Sequence, residues 1–225
     1  MHNILLLLLV ALVATPVYAA GDVTKFEGVQ QECAQVGDIT FGPGGRWASC
    51  NVTRGRWIAT LNFMDLYQAQ YCLGKNEEAC DQRALVIFSN RAYTPDAKAL
   101  LVRIDEGAME YDDPLVVISG DESVMSISAH SPAGVVAKSY YLWRIDHWVA
   151  MDAQGWLHGL YAHLPKGASV RQAAWPDLET MSAQVSLFRM DDADCCPTGG
   201  VAKVELGLAK EKFAIQQVKV SPMGK

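Results

Sequence analysis

Two cysteines stand side by side at Cys195 and Cys196, inside the acidic stretch DDADCCPTGG that runs from Asp191 to Gly200. Adjacent thiols admit a redox pair or a thiolate nucleophile, and the carboxylates of Asp191, Asp192 and Asp194 add a metal loop. Each needs something this stretch does not supply. A nucleophilic thiolate wants a nearby cation to lower its pKa, and three aspartates raise it instead. The C-x-x-C spacing of thioredoxin-like exchange is absent. A calcium loop of the EF-hand type needs alternating acidic positions, a central glycine and a distal glutamate. The bland reading is a stiffened turn between two strand-like runs, AQVSLFR and AKVELGL. Asp191, Asp192 and Asp194 stay as ligand-binding candidates beside it.

The histidines offer little more. His158 and His163 lie five apart in HGLYAH, which does not give the shared helical face of H-E-x-x-H, and no glutamate follows His158. His147 follows Asp146, a pairing that orients a general base, but neighbours on a strand point to opposite faces. The G-x-S-x-G elbow, the P-loop and the G-x-G-x-x-G fingerprint are all missing. FGPGG, Phe41 to Gly45, has the wrong spacing for phosphate and reads as a turn. Of six tryptophans, Trp143 and Trp148 are the candidates for stacking on a glycan, against the commoner role of filling a core. Asn51-Val52-Thr53 matches a glycosylation acceptor, which matters only in a eukaryotic host. No metal or cofactor is expected.

What must position these residues is a framework braced by sulfur. The chain has six cysteines, Cys33, Cys50, Cys72, Cys80, Cys195 and Cys196. Three disulfides are the expectation for an exported protein, although six cysteines allow about fifteen pairings. Cys72 and Cys80 enclose the short loop LGKNEEA, and Cys33 with Cys50 would close a larger one. A crossed pairing among these four fits almost as well. Each such loop removes unfolded-state entropy worth roughly 2–3 kcal/mol. Cys195 and Cys196 then have each other, or one reaches back to the distant set, or both stay free. A bond between neighbours is awkward, because a trans peptide holds Cα atoms about 3.8 Å apart, short of the usual disulfide range of about 4.4–6.8 Å. Closing that ring calls for a twisted or cis peptide.

Strand signals outnumber helix signals. Arg46–Val52 and Arg56–Phe63 suggest a hairpin around Thr53 to Gly55. RALVIFSN (Arg83–Asn90) and KALLVRID (Lys98–Asp105) form a second pair. PLVVIS and SVMSISAH form a third around Gly120-Asp121-Glu122. SYYLWRID, Ser139–Asp146, places Tyr141, Trp143 and Ile145 on one face and Tyr140, Leu142 and Arg144 on the other, the mark of a central strand. Trp156, Leu157, Leu160, Tyr161 and Leu164 recur at helical spacing until Pro165. AQVSLFR, AKVELGL and FAIQQVKV close the chain. The expectation is a β-rich α+β or all-β fold of about ten mostly antiparallel strands with one or two short helices.

The first residues, MHNILLLLLVALVATPVYA, read as a signal peptide over residues 1–19, with an apolar run too short to span a bilayer. Its n-region departs from the pattern in having no Lys or Arg. Residues 20–225 form one exported region, or two subdomains with a boundary near 131–134. No later stretch is long and apolar enough to cross a membrane. The formal charge is −6, which argues against nucleic acid and against a polybasic membrane surface. The function these features suggest is a non-enzymatic periplasmic or secreted protein that binds a protein or an envelope component. The alternative is an enzyme, thiol-dependent through Cys195 or Cys196, or hydrolytic through His147 or His163.

Overall fold

The computed structural model describes residues 23–25, 28–29, 31–91, 96–105, 110–132, 134, 136–172 and 174–222. The leader expected over residues 1–19 and the polar turn expected through Thr94 and Pro95 lie outside them. Thirteen strands among the described residues make three sheets, in which the strands pair antiparallel. The first holds β1 (Val23–Lys25), β2 (Ser49–Leu61), β3 (Met64–Gly74), β4 (Gln82–Arg91) and β5 (Asp96–Asp105), in the order β1-β5-β4-β3-β2. The second holds β6 (Glu110–Tyr111), β7 (Leu115–Ser119), β8 (Glu122–His130), β9 (Val136–Arg144) and β10 (His147–Ala150), in the order β10-β9-β8-β6, with β7 also paired to β8. The third is β11 (Ser182–Leu187), β12 (Gly200–Ala209) and β13 (Lys212–Ser221). One short helix, α1 (Trp156–Leu160), tightens into a 3₁₀ turn at Tyr161–His163 before Pro165.

The two-residue period of each strand explains how the sheets stack. On β4, Leu85 and Ile87 face one core while Ala84, Val86 and Phe88 face another. Leu85 and Ile87 meet Met125 and Ile127 of β8 and Trp143 of β9, which seals the first sheet against the second. The outer face of the first sheet, with Tyr71 and Phe88, is covered by Val29, Val36, Ile39 and Trp47 from the segment before β2. Tyr140 and Leu142 of β9 point the opposite way, into a third core with Val185, Val204, Phe213 and Trp156. The middle sheet is therefore shared between two cores, and β9 is apolar on both faces as a central strand should be. Each large side chain buried this way stabilises by roughly 1.5–3 kcal/mol. β8 and β9, on either side of Ser131–Gly134, pair from Val124 opposite Leu142 to His130 opposite Val136.

Three expectations change. Thr53 to Gly55 is no turn: β2 runs straight through it, with irregular register at Val52/Arg54 and at Trp57/Ala59. The hairpin closes instead at Asn62 and Phe63, between Leu61 and its partner Met64. Both turn residues have positive φ, 49° and 62°, the conformation that fits strand twist across a two-residue loop. The return strand β3 carries Gln68 and Gln70, which hid it from hydrophobic patterning. Both are buried, at 0 and 6 % exposure, and a buried amide is tolerated only when hydrogen-bonded. Ile145 belongs to no strand face. It sits in the β9–β10 turn with φ of 50°, where the Asp146 amide donates to the Arg144 carbonyl at 2.5 Å. That geometry is a γ-turn of the rare positive-φ kind.

Candidate functional site

β11 and β12 are joined by the DDADCCPTGG loop, whose Asp192 and Thr198 side chains are hydrogen-bonded within it. Asp192 folds its carboxylate inward. One oxygen accepts from the Thr198 hydroxyl at 2.6 Å, the other from the amides of Arg189 at 2.6 Å and Thr198 at 2.8 Å. These donors, the Thr198 hydroxyl first, hold the Asp192 carboxyl below the ordinary carboxylate range. The folded pKa is depressed, so Asp192 contributes above its unfolded pKa and the contribution is lost as pH falls through the lower folded value. Gly199 donates to the Leu187 carbonyl at 2.8 Å and closes the base of the loop. A Cβ at Gly199 would lie 2.7 Å from that same oxygen, and Gly200 has φ of 107°. Gly199 is thus needed for close approach, and Gly200 both for its backbone conformation and because a Cβ there would collide with the Ser221 carbonyl oxygen.

The residue that organises the loop was not among the candidates. Arg171 lies in the segment before β11 and reaches four acceptors. Nη1 donates to the Asp192 carbonyl at 2.7 Å and to the Asp194 carboxylate at 3.0 Å. Nη2 donates to the carbonyls of Arg189 at 2.9 Å and Met190 at 3.3 Å. The guanidinium also stacks 4.9 Å from the centre of the Phe188 ring. Nothing local in SVRQA marks this arginine, because its partners come from about twenty positions downstream. Asp191, in contrast, is exposed.

All six cysteines are bonded. Cys33 pairs with Cys50 and Cys72 with Cys80, while Cys195 and Cys196 pair with each other. The uncrossed arrangement therefore holds, and the Cα atoms of the last pair stand 3.8 Å apart, the spacing of a trans peptide. Both residues of that pair are exposed at the tip of the loop. Cys33–Cys50 ties the covering segment to the first residues of β2, and Cys72–Cys80 closes the turn between β3 and β4.

The remaining candidates divide by burial. Trp143 and Trp148 face each other across β9 and β10 with ring centroids 5.0 Å apart and planes at 66°. They are 7 and 6 % exposed, so this edge-to-face pair fills the core between the first two sheets. His147 and Asp146 do meet, contrary to the opposite-face expectation, because Asp146 lies in the turn. Nδ1 stands 3.0 Å from Oδ1, and both side chains are exposed. The bond to His147 holds the Asp146 carboxyl below its usual range. His158, in α1, and His163, in the 3₁₀ turn, border the same groove. That groove, of about 370 Å³, is also lined by Asp152 and Lys212. A second groove of about 380 Å³ lies over the first sheet, between Asp38, Arg46 and Gln82. Among the described residues no three of His, Cys, Asp or Glu gather where they could hold a metal ion, and no helix is long and apolar enough to cross a membrane.

No protein-family model, curated protein or solved structure matches the chain. What the fold and the loop define is a class by construction: a β-rich, mostly antiparallel protein braced by three disulfides.

Proposed function

We propose that the chain is an exported, non-enzymatic protein that binds a protein or another component of the cell envelope through its disulfide-braced β scaffold. The apolar leader and the paired cysteines support export. The observation that carries the binding reading is the exposure of large apolar side chains at hairpin turns. Phe63 is 90 % exposed and Ile145 is 94 % exposed. Several candidates for chemistry have other employment. Asp192 is bonded within its own loop, Trp143 and Trp148 fill a core, and His147 sits in open solvent where its pairing with Asp146 is screened.

Crosslinking in the intact envelope of the producing cell tests this reading. A short amine-reactive crosslinker should convert a substantial part of the protein into heavier adducts that survive solubilisation. A protein that stays monomeric there, with its lysines modified only internally, argues against an envelope-binding role.

A further inference from the structure

Four hairpin turns gather at one end of the stacked sheets. Arg144, the last residue of β9, reaches Glu122 beside the β7–β8 turn at 3.4 Å and the Lys210 carbonyl in the β12–β13 turn at 3.4 Å. Asp146 in the β9–β10 turn lies within electrostatic reach of Lys98 on β5, and β10 packs against β5. Lys98 pairs with Ser89, two positions from Arg91, which pairs with Met64 at the foot of the β2–β3 turn. Phe63 and Ile145 therefore crown the same end, from the first and second sheets, with Ile118 (62 % exposed) beside the β7–β8 turn.

Their backbones make the exposure informative. Positive φ in a tight turn belongs to glycine or asparagine, and a β-branched residue there is an outlier. Phe63 and Ile145 adopt it, at 62° and 50°, and make almost no packing contact in return. The tight hairpins call for positive φ at these positions, but glycine would meet that demand without strain, so the choice of a bulky apolar residue at each points to a role outside the molecule. The placement of the side chains narrows that role. At 90 and 94 % exposure neither is covered by the other, and they stand on separate hairpins of two different sheets. A fitted protein interface normally buries about 1,600 Å² in total, whereas a lipid surface accepts isolated apolar tips without any complementary shape.

The polar groups around the tips then select the lipid. Arg144 is paired with Glu122 and Asp146 with His147, and Lys98 faces Asp146. This collar carries both signs in near balance. Binding to anionic lipid calls for an excess of Lys and Arg, so the collar suits zwitterionic headgroups.

We infer that this end is a lipid-contacting surface, with Phe63 and Ile145 inserting into the headgroup region of a zwitterionic leaflet. The inference rests on the envelope-binding reading and names the component. It is tested by flotation of the purified protein with phosphatidylcholine vesicles, comparing the wild type with Phe63→Gly/Ile145→Gly. Both proteins carry the same N-terminus, so the difference reports the tips alone. The double variant should lose about tenfold in partitioning while its Tm stays unchanged or rises, since glycine suits both backbone positions. Equal partitioning of the two proteins overturns the inference, as does failure of the wild type to float. A fall in Tm that accompanies lost binding overturns it too, because the side chains would then be serving the fold. If envelope adducts form but the vesicles stay bare, the partner is a protein and only the lipid inference fails.

Discussion

Arg171 shows how much a single side chain contributes to a loop that sequence inspection assigns to its cysteines. Its two terminal nitrogens satisfy three backbone carbonyls and one carboxylate. A flexible turn would leave those carbonyls to water. The guanidinium is well suited to this, because its planar fork offers several donors in fixed directions and stacks on an aromatic face. The Cys195–Cys196 bond constrains only two adjacent residues, so it cannot by itself set the path of a loop of about ten. Arg171→Met keeps much of the apolar stem and removes every donor. It should destabilise by about 1–3 kcal/mol, the usual range for hydrogen bonds to a charged group. Urea unfolding measures the cost, and amide exchange at residues 189–198 should accelerate selectively. An unchanged exchange pattern would return the ordering of the loop to the disulfide.

At the scale of elements, glycine positions separate close approach from mere permissiveness. Gly199→Ala places a Cβ 2.7 Å from the Leu187 carbonyl oxygen and 2.9 Å from its carbon. Backbone cannot yield there without parting β11 from β12, so a loss of about 1–3 kcal/mol is expected, as for other overpacking changes. Gly159→Ala is the contrast. Its Cβ would meet only Ile215 Cδ1 at 3.5 Å, and alanine inside α1 should gain up to about 1 kcal/mol. Thermal melts of the two variants should shift in opposite directions. The same scale explains what the sequence reveals and what it conceals. β4, β5, β8, β9 and the closing three strands are legible because apolar residues alternate or run unbroken along them. β3 is concealed because Gln68 and Gln70 stand where a core would normally place aliphatic residues. The β2–β3 turn is concealed because Asn62 and Phe63 carry no glycine or proline to announce it, while Gly55 suggests a break inside a continuous strand. Of the loop, arithmetic and local spacing offer the Cys195–Cys196 bond as one of three alternatives, and only the structure selects it. Arg171 is not legible at all, since only the fold brings it to its acceptors.

For the whole molecule, the question is what fixes the first sheet on the second, given that apolar faces alone tolerate sliding. The answer lies with the glutamines of β3. Gln68 donates to the Asp113 carboxylate at 2.5 Å and accepts from Gln70 at 3.0 Å, and Gln70 donates to the Tyr111 carbonyl at 3.2 Å. Asp113 lies between β6 and β7, so each of the bonds to Asp113 and Tyr111 crosses from one sheet to the other. Arg54 at 3.2 Å and Arg56 close over the same carboxylate from the edge strand β2. These arginines are half exposed, and such pairs contribute little. The buried amide is the costly member, since a donor stranded there loses hydrogen bonding to water with nothing in exchange. Asp113→Ala should therefore destabilise by about 1–3 kcal/mol. Adding Gln68→Met to that variant should recover part of the loss, because the stranded donor is removed and the volume is kept. A double-mutant cycle in urea should give a coupling of about 0.5–2 kcal/mol. Additive effects would mean that the sheets are registered by their apolar side chains alone, and that the glutamines are merely tolerated.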